Sequence, residues 1–355
     1  MRVHDVQLFP LALELTESFG IAGGALTRAD NVLVQLTLED GSRGLGEAAP
    51  FPAFNGETQR GVLECADEVR SMLVGGDARR LRHLSSRLCE HTLPACLRAA
   101  TEMALLDAVT RARAVSLCHW FGGAETTLQT DITVVTGDAA HARVSAERAT
   151  AQGFDRIKVK VGGVPQRLDA DRVCAIAAAA PAATLLLDAN ASLSADQALA
   201  LLAALGEVRE RVSAFEQPCA AHDLAGLATV RRSGVRVVAD ESVTCPADLL
   251  PLRDCVDVVN VKLMKSGVIG ALDLALSARA LGFGLMIGGL VESDLAMSVA
   301  ACLAAGLGGF EIVDLDTPLF LRDAPFRGGV SRQGPHLDLT PIAAGHGVEA
   351  ISARP

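Results

Sequence analysis

The chain has 355 residues, half of them hydrophobic, and a formal net charge of −10. This length allows a large buried core. The negative charge argues against a nucleic-acid partner, because phosphate binding requires clustered Lys and Arg side chains. No apolar run reaches the length of a membrane span, and the start of the chain lacks the layout of a signal peptide. We therefore predict a cytoplasmic protein that binds neither nucleic acid nor membrane.

Nine cysteines are spread along the chain, and none forms a CxxC pair. An odd number without metal-ligand spacing indicates free thiols in a reducing compartment, and it argues against a disulfide framework or a zinc site. One Trp and no Tyr argue against a base-stacking surface.

The first part of the chain has the pattern of a small α+β domain. Its strand-like and helical segments are 3–15, 31–39, 56–75 and 94–114. A tight Asp40-Gly41 turn leads into a third strand, and Pro94 stands where a helix-start proline is expected.

From about residue 128, short β-rich runs alternate with Ala/Leu-rich helical runs. The eight runs are TDITVV, RIKVKV, TLLLDAN, VSAFEQP, VRVVADES, VDVVNVKL, FGLMIGG and FEIVDLD. Strand–helix alternation implies parallel pairing with right-handed crossovers, and about eight units close a barrel. A doubly wound open sheet is the alternative, and it is disfavoured because no GxGxxG follows the early strands.

Most of these runs end in a charged residue. Lys160, Asp188, Glu216, Asp240 and Lys262 follow one another at intervals of 28, 28, 24 and 22 residues, each about one βα unit. Residues at the carboxyl ends of barrel strands converge on one mouth, where active sites lie. The spacing therefore predicts three carboxylates flanked by lysines.

Three carboxylates without nearby His or Cys form an all-oxygen site, which suits a hard cation such as Mg²⁺. A desolvated lysine near positive charge has a lowered pKa and can accept a proton. Lys158 and Lys160 project to the same face of their strand, so each can affect the other. Taken singly, such residues are more often helix caps, turn formers or solvated edges. Five such charged residues at matching positions in successive βα units favour an active site.

At these residues the sequence resembles the enolase superfamily, in its muconate-lactonizing-like subgroup. The matching motifs are KVK at 158–160, DAN at 188–190, EQP at 216–218, ADES at 239–242 and NVKLMKSGV at 260–268. GLGEAAP at 44–50 and RAATEMALLDA at 98–108 look like signatures of the capping domain. The resemblance implies a (β/α)7β modified TIM barrel with an α+β capping domain. The expected segments are a cap at 1–125 with lid loops near 17–28 and 51–57, a barrel at 126–320, and a C-terminal segment at 321–355 that returns to the cap.

The resemblance also implies roles for the charged residues. The ligands of Mg²⁺ would be Asp188, Glu216 and Asp240. Lys160 and Lys262 would stand on opposite faces of a substrate carbon next to a carboxylate, with Lys158 tuning Lys160. Lys265 lies in the same motif, but Lys262 directly follows its strand and is the better candidate.

The segment IVDLDTPLF carries Asp314 and Asp316, which resemble the pair that holds the free α-ammonium in dipeptide epimerases. Charge-assisted hydrogen bonds would suit that role, and Thr133 matches a dipeptide-contacting position. The implied reaction inverts the α-carbon of the C-terminal residue by 1,1-proton transfer through an enediolate. Alternatives on the same scaffold are a muconate or chloromuconate cycloisomerase and an o-succinylbenzoate synthase or N-acylamino acid racemase. A non-catalytic barrel that binds a small molecule is the alternative from another class.

Specificity depends on the lid loops and on the loop at 291–294. Epimerases acting on Ala-Glu carry an arginine where this chain has Gly24, so we expect a cationic or hydrophobic dipeptide instead. The further substrate-binding candidates are Phe51, Phe54, Glu292 and Asp294. A homo-oligomer is expected, as relatives often form one.

Overall fold

A three-stranded antiparallel sheet begins the fold. The computed structural model describes residues 1–21, 24–135 and 137–351, with side chains described except at 18–21, 24 and 25. The strands are β1 (Val3–Ile21), β2 (Gly24–Leu38) and β3 (Arg43–Ala48), in the order β1-β2-β3. Between β2 and β3 lies the predicted turn, where Gly41 has a φ of +87°, a left-handed value that glycine adopts without steric cost.

Helices follow this sheet and complete an α+β domain, as expected. They are α1 (Pro52–Asn55), α2 (Gln59–Glu64), α3 (Ala66–Leu73), α4 (Leu81–Cys89), α5 (Ala95–Arg111) and α6 (Leu117–Trp120). Pro94 directly precedes α5, which is buried along most of its length and packs against β3. A Cβ at Gly46 would lie 1.9 Å from Ala100 O, so this close approach of strand and helix requires glycine.

The second part of the chain is a parallel barrel. After a short strand β4 (Thr127–Gln129), the barrel strands are β5 (Ile132–Val134), β6 (Arg156–Lys160), β7 (Thr184–Asp188), β8 (Val212–Glu216), β9 (Val237–Ala239), β10 (Val258–Lys262), β11 (Gly284–Gly288) and β12 (Ile312–Val313). They pair in chain order from β5 to β12. Asp131 N donates to Val313 O at 2.9 Å and joins the first strand to the last. The open-sheet alternative is thereby excluded.

Helices cross between successive strands and cover the barrel. They are α7 (Ala139–Ala151), α8 (Gln166–Ala179), α9 (Ala195–Ala204), α10 (Leu224–Arg232), α11 (Leu249–Leu252), α12 (Leu263–Ala280) and α13 (Asp294–Leu307). Eight strands with seven intervening helical connections give the expected (β/α)7β order. Each of the eight predicted runs contains one barrel strand.

The last segment of the chain contacts both parts of the molecule. Its strands are β13 (Phe326–Gly328), β14 (Ser331–Gln333), β15 (His336–Asp338) and β16 (Val348–Ala350). β15 pairs with β4, while Arg111 of α5 donates to Val348 O at 2.7 Å. Buried Asp107, also on α5, accepts from His346 N at 3.0 Å. These contacts agree with a C-terminal segment that returns to the cap, and the limits of the three segments stay a prediction.

Two buried carboxylates of the cap accept hydrogen bonds from backbone N–H groups at the amino ends of barrel helices. Glu47 accepts from the Ser293 backbone and hydroxyl just before α13. Glu102 accepts from Ile269 N at 2.9 Å and from the Ser85 hydroxyl, at the point where a φ of +73° at Gly267 interrupts α12. Free N–H groups at a helix start are partners for a carboxylate, so these contacts hold the cap on the barrel.

Glu102→Ala is expected to lower the free energy of unfolding by about 2–4 kcal/mol, because it leaves buried donors without acceptors. Urea unfolding of the full chain measures the change. The matched control is Asp273→Ala, which removes an exposed ion pair between α12 and Arg82 of α4, with side chains 39% and 63% exposed. Surface pairs contribute at most about 1 kcal/mol, so equal losses in the two variants would contradict the role of Glu102.

In the part of the chain that the structure describes, we find no helix with the length and hydropathy of a membrane span. Each of the nine cysteines is a free thiol, as their spacing predicts.

Candidate active site

Three carboxylates from successive strands lie side by side at the carboxyl ends of the barrel strands. Asp188 ends β7 and is the register partner of Glu216, which ends β8. Asp240 directly follows β9, and all three side chains are fully buried. The convergence predicted from their spacing is therefore present.

The side chain of Gln217 ties two of these strand ends together. Its amide nitrogen donates to Cys219 O and the Ser242 hydroxyl, and its amide oxygen accepts from Asp240 N at 2.9 Å. Gln217 itself has a φ of +32°, a value that costs a non-glycine residue energy and often occurs at functional sites. The strain is offset by hydrogen bonds that fix Glu216 and Asp240 relative to each other.

Lys158 and Lys160 reach into the carboxylates from β6. The ammonium of Lys158 lies 3.0 Å from Asp188 Oδ2, 2.7 Å from Glu216 Oε2 and 2.7 Å from Asp314 Oδ2. Lys160 Nζ donates to Asp188 Oδ2 at 2.6 Å. Both side chains are buried on one face of the strand, as the KxK spacing predicts.

Lys262, at the end of β10, lies against Asp240 with its Nζ 2.7 Å from Oδ2. Lys265 bonds the other oxygen of the same carboxylate and the Asn260 carbonyl. Burial alone would lower the pKa of Lys262, but the charges of Asp240 and Glu216 outweigh it and raise the pKa. The sequence predicts a lowered pKa for this base, and that prediction is wrong for Lys262 in this structure. The ion pairs with the carboxylates favour the charged ammonium.

The chain has four lysines and 28 arginines; all four lysines are buried at this site, whereas no described arginine lines the central cavity. An ammonium can lose its proton when its surroundings change, and a guanidinium cannot. The distribution of the two residue types therefore separates the site chemically from the rest of the molecule.

The positions of Lys160 and Lys262 around the barrel put them on opposite walls. Their strands, β6 and β10, are four positions apart in a ring of eight. Both side chains line the same central cavity. A molecule in the cavity would have one ammonium on each side.

The donor chemistry of Asp188, Glu216 and Asp240 suits a divalent cation such as Mg²⁺, while their ligand oxygens lie farther apart than the 4.8 Å that encloses those of Asp131, Asp314 and Asp316. Burial and the neighbouring Asp188 raise the pKa of Glu216 to about 7, and burial with Asp240 raises that of Glu241 to about 8. Glu216 Oε2 lies 2.7 Å from the Lys158 ammonium, and Glu241 Oε2 accepts no hydrogen bond from the described residues. An all-oxygen donor set with excess negative charge is the kind that hard cations bind. Asp188, Glu216 and Asp240 would hold the ion.

The central cavity contains most of the predicted substrate-binding residues. Its walls are formed by Phe51, Phe54, Thr133, Lys158, Lys160, Asn190, Lys262, Gly289, Leu290, Val291, Asp314, Asp316 and Thr317. Asp314 and Asp316 are buried rather than solvated, and Thr133 N donates to Asp316 Oδ2 at 2.6 Å. Lysine and DxD residues thus surround one space, and the carboxylates of Asp188, Glu216 and Asp240 lie behind its lysines in ion pairs.

Three other candidates have different surroundings. Glu292 Oε1 accepts from Leu290 N, so its side chain folds back on its own loop, and burial raises its pKa to about 8. Asp294 begins α13, where burial raises its pKa and Arg332 opposes the shift. The surroundings of Gly24 lie outside the described residues. Glu57, in the second lid loop, accepts from Ala95 N at the start of α5. The substrate-binding roles of Gly24, Glu292 and Asp294 stay predictions.

Sequence reasoning missed several polar residues of the site. Asn260 donates to Glu216 Oε1 at 2.7 Å and Asn190 accepts from Lys160 Nζ at 3.2 Å. Asn260 stands two residues before Lys262 on one strand face, a spacing that could have indicated it. No spacing in the sequence indicated Glu241 or Asp131.

Together the barrel, the cap and the site define a metal-assisted enzyme of acid–base chemistry. The N-terminal domain family of mandelate racemase and muconate lactonizing enzyme matches residues 5–122, and the enolase C-terminal domain-like family matches residues 141–353. The chain belongs to the mandelate racemase/muconate lactonizing enzyme family of the enolase superfamily.

Individual relatives extend over nearly the whole chain. The aromatic dipeptide epimerase of Herpetosiphon aurantiacus is 47% identical, over 98% of this chain and 98% of its own length. A mandelate racemase/muconate lactonizing enzyme from Roseiflexus sp. is 44% identical, covering 99% and 98% of the two chains with a TM-score of 0.94. The dipeptide epimerase of Enterococcus faecalis, solved with Mg and the dipeptide L-Leu-L-Tyr, is 31% identical and covers 98% and 100%, with a TM-score of 0.93.

Proposed function

We propose that this chain is a Mg²⁺-dependent dipeptide epimerase that inverts the α-carbon of the C-terminal residue. The observation that carries the proposal is the pair of buried lysines, Lys160 and Lys262, on opposite walls of one cavity beside three carboxylates. Two bases on opposite faces of a carbon can remove a proton from one face and return one to the other. The enzyme is accordingly an isomerase.

In this reaction each lysine has one task in each direction. Lys160 removes the α-proton on its side, and Lys262 delivers a proton from the opposite side; the reverse reaction exchanges the tasks. Asp188, Glu216 and Asp240 would hold Mg²⁺, which would supply positive charge next to the substrate carboxylate. Lys158 adds a fixed positive charge beside Lys160.

Asp314 and Asp316 support a substrate with a free ammonium. Both are buried in the cavity wall, just after the end of strand β12. Burial, then the charge of Asp314, raises the pKa of Asp316 to about 6, so a cation placed beside it would favour its ionised form. Muconates and N-acylated amino acids carry no ammonium, so these residues favour a dipeptide over the alternative reactions.

The cavity wall supports an apolar C-terminal side chain. Phe51 and Phe54 from the cap line the same cavity as Leu290 and Val291 from the loop after β11. Arg28, the arginine near the first lid loop, is paired with Asp30 at 2.6 Å, with both side chains about half exposed. The name of the Herpetosiphon aurantiacus relative, an aromatic dipeptide epimerase, supports the same substrate class. The cytoplasmic location and the homo-oligomer stay predictions.

A panel of L,L-dipeptides incubated in D₂O with Mg²⁺ tests this proposal. Dipeptides with C-terminal Phe, Tyr or Leu are expected to gain one deuteron and to react with a kcat/KM at least about tenfold above that for C-terminal Glu, since a buried acidic group costs more than 1.4 kcal/mol without a cation. Mass spectrometry and chiral chromatography measure exchange and inversion.

The panel includes C-terminal Lys, because aromatic rings also bind cations. Phe54→Ala provides the matched comparison: it should weaken the reaction of the aromatic dipeptide more than that of an Ala dipeptide. A preference for Glu, or for Lys over the apolar residues, would contradict the apolar assignment. Exchange into no dipeptide at all would contradict the activity itself.

A further inference from the structure

Asp131 is a buried carboxyl that the mechanism above does not use. It directly precedes β5 and its residue surface is 3% exposed. Neither of its carboxylate oxygens accepts a hydrogen bond from the described residues. A buried, ionised carboxylate without partners is costly, so the environment of Asp131 must explain its presence.

The two DxD carboxyls, Asp314 and Asp316, are neighbours of Asp131. Ligand oxygens of Asp131, Asp314 and Asp316 all lie within 4.8 Å of one another. The Lys158 ammonium lies 2.7 Å from Asp314 Oδ2, and Asp316 Oδ1 has no partner among the described residues. Three carboxyls therefore share one neighbouring ammonium, which is itself shared with Asp188 and Glu216.

Like charges this close in a buried space cannot all be ionised without a large cost. Burial, followed by the charges of Asp314 and Asp316, raises the pKa of Asp131 well above its usual value. Asp131 and Asp314 lie close enough to form a hydrogen bond if one of the two carboxyls carries a proton. A proton on Asp131 would give its unpaired oxygens a partner and relieve the repulsion between the carboxyls.

Asp131 also borders a second cavity, of about 250 Å³. The cavity lies at the opposite end of the barrel from the active site, where strands β6 and β7 begin. The charged groups that line it with Asp131 are Arg156, Arg236 and Glu311, and Arg236 is paired with Glu311 at 2.8 Å. A space of this size can hold water. Water there would let the carboxyl proton exchange with solvent without passing the lid loops.

We propose that Asp131 is a positioning residue that carries a proton and donates it in a hydrogen bond to Asp314, so that the DxD pair receives the substrate ammonium in one orientation. With Asp131 neutral, Asp314, Asp316 and the Lys158 ammonium sum to a charge of −1, which one substrate ammonium balances; partly buried Arg332 is a further positive charge that acts on Asp316. With Asp131 ionised, the net charge would be −2. The inference rests on the proposed dipeptide activity.

The test compares two variants whose side chains branch at Cγ as that of Asp131 does. Asp131→Asn keeps a donor and cannot ionise, so its KM for the dipeptide should stay within about threefold of the parent value. Asp131→Leu removes the donor, so KM should rise about 10–100-fold with a smaller change in kcat, since a hydrogen bond to a charged group contributes about 1.5–3 kcal/mol. If the Leu variant does not fold, Asp131→Ala, which leaves room for water, takes its place.

A second substrate separates positioning from general structural damage. The N-acetylated dipeptide has no ammonium, and its exchange rate should respond equally little to Asp131→Asn and Asp131→Leu. An Asn variant as impaired as the Leu variant would mean that Asp131 acts as an ionised carboxylate. A Leu variant with unchanged KM would mean that Asp131 has no influence on the ammonium.

Infrared difference spectroscopy reports the proton without any assay of activity. The parent protein minus Asp131→Asn should show the C=O band of a protonated carboxylic acid at neutral pH. Absence of this band would overturn the inference even in an active enzyme. Presence of the band in a protein that exchanges no dipeptide would instead refute the proposed function and leave the protonated Asp131 standing.

Discussion

Replacing Lys160 or Lys262 with alanine is expected to abolish epimerisation, with a fall in kcat of at least roughly 10³-fold, because each lysine is the acid or base on one face of the carbon. Chiral chromatography of the dipeptide products measures the loss. Each single variant should nevertheless still exchange the α-proton of one epimer for deuterium with retention, since the remaining base can remove and return a proton on its own face.

Arginine at the same positions provides the matched control. Lys160→Arg and Lys262→Arg keep the positive charge beside Asp188 and Asp240, but a guanidinium does not release its proton at neutral pH. They should therefore be as deficient in inversion as the alanine variants. Retained inversion in an arginine variant would show that the residue acts through its charge alone.

The lysine content of the chain makes these variants unusually easy to follow. With four lysines, all buried at the site, ε-¹⁵N-lysine labelling gives four side-chain ammonium signals, and each single variant removes one. The signals of Lys160 and Lys262 should shift on addition of Mg²⁺, because the cation competes for the carboxylates that raise the pKa of Lys262. Unchanged signals would contradict a metal site next to Lys160 and Lys262.

Removing the divalent cation is the second change with a large expected effect. Dialysis against a chelator should lower deuterium exchange into the dipeptide by at least roughly 10³-fold, because stabilisation of the developing negative charge is usually the largest catalytic contribution. Added Mg²⁺ should restore the rate. Glu216→Gln keeps the shape of the side chain and removes one ligand charge, so it should raise the Mg²⁺ concentration needed for half-maximal activity.

Asp338→Asn is the control for this substitution, because Asp338 is a carboxylate of β15 whose hydrogen bonds are to Thr340. Its Mg²⁺ dependence should match that of the parent protein. Full exchange activity after chelation, or a Glu216→Gln variant with unchanged Mg²⁺ dependence, would contradict the assignment of the metal ligands.

The barrel and the carboxylate ring could be predicted from sequence because both follow from local, repeated patterns. Asp188, Glu216 and Asp240 each end an apolar run, and the ends of parallel strands meet at one mouth whatever the details of packing. Lys158 and Lys160 share a face because side chains alternate along any strand. Such features need only the order of elements and the geometry of one strand.

Other features depend on contacts between distant parts of the chain. Glu47 and Glu102 satisfy helix starts 246 and 167 residues further along, and Asp131 meets Asp314 and Asp316 only when the barrel closes. No local pattern distinguishes these carboxyls from helix caps or solvated residues. The loop geometry likewise decided that Glu292 bonds Leu290 N and that Leu290 and Val291 face the cavity.

The sequence by itself therefore determined the strand order, the site at the carboxyl ends and the residue types that meet there. The tertiary structure decided which of those charges touch. The direction of the Lys262 pKa is the clearest case, because burial and nearby carboxylates act in opposite directions and only their distances decide the outcome. Electrostatic energy depends on separation and burial, which are properties of the folded chain and of no segment alone.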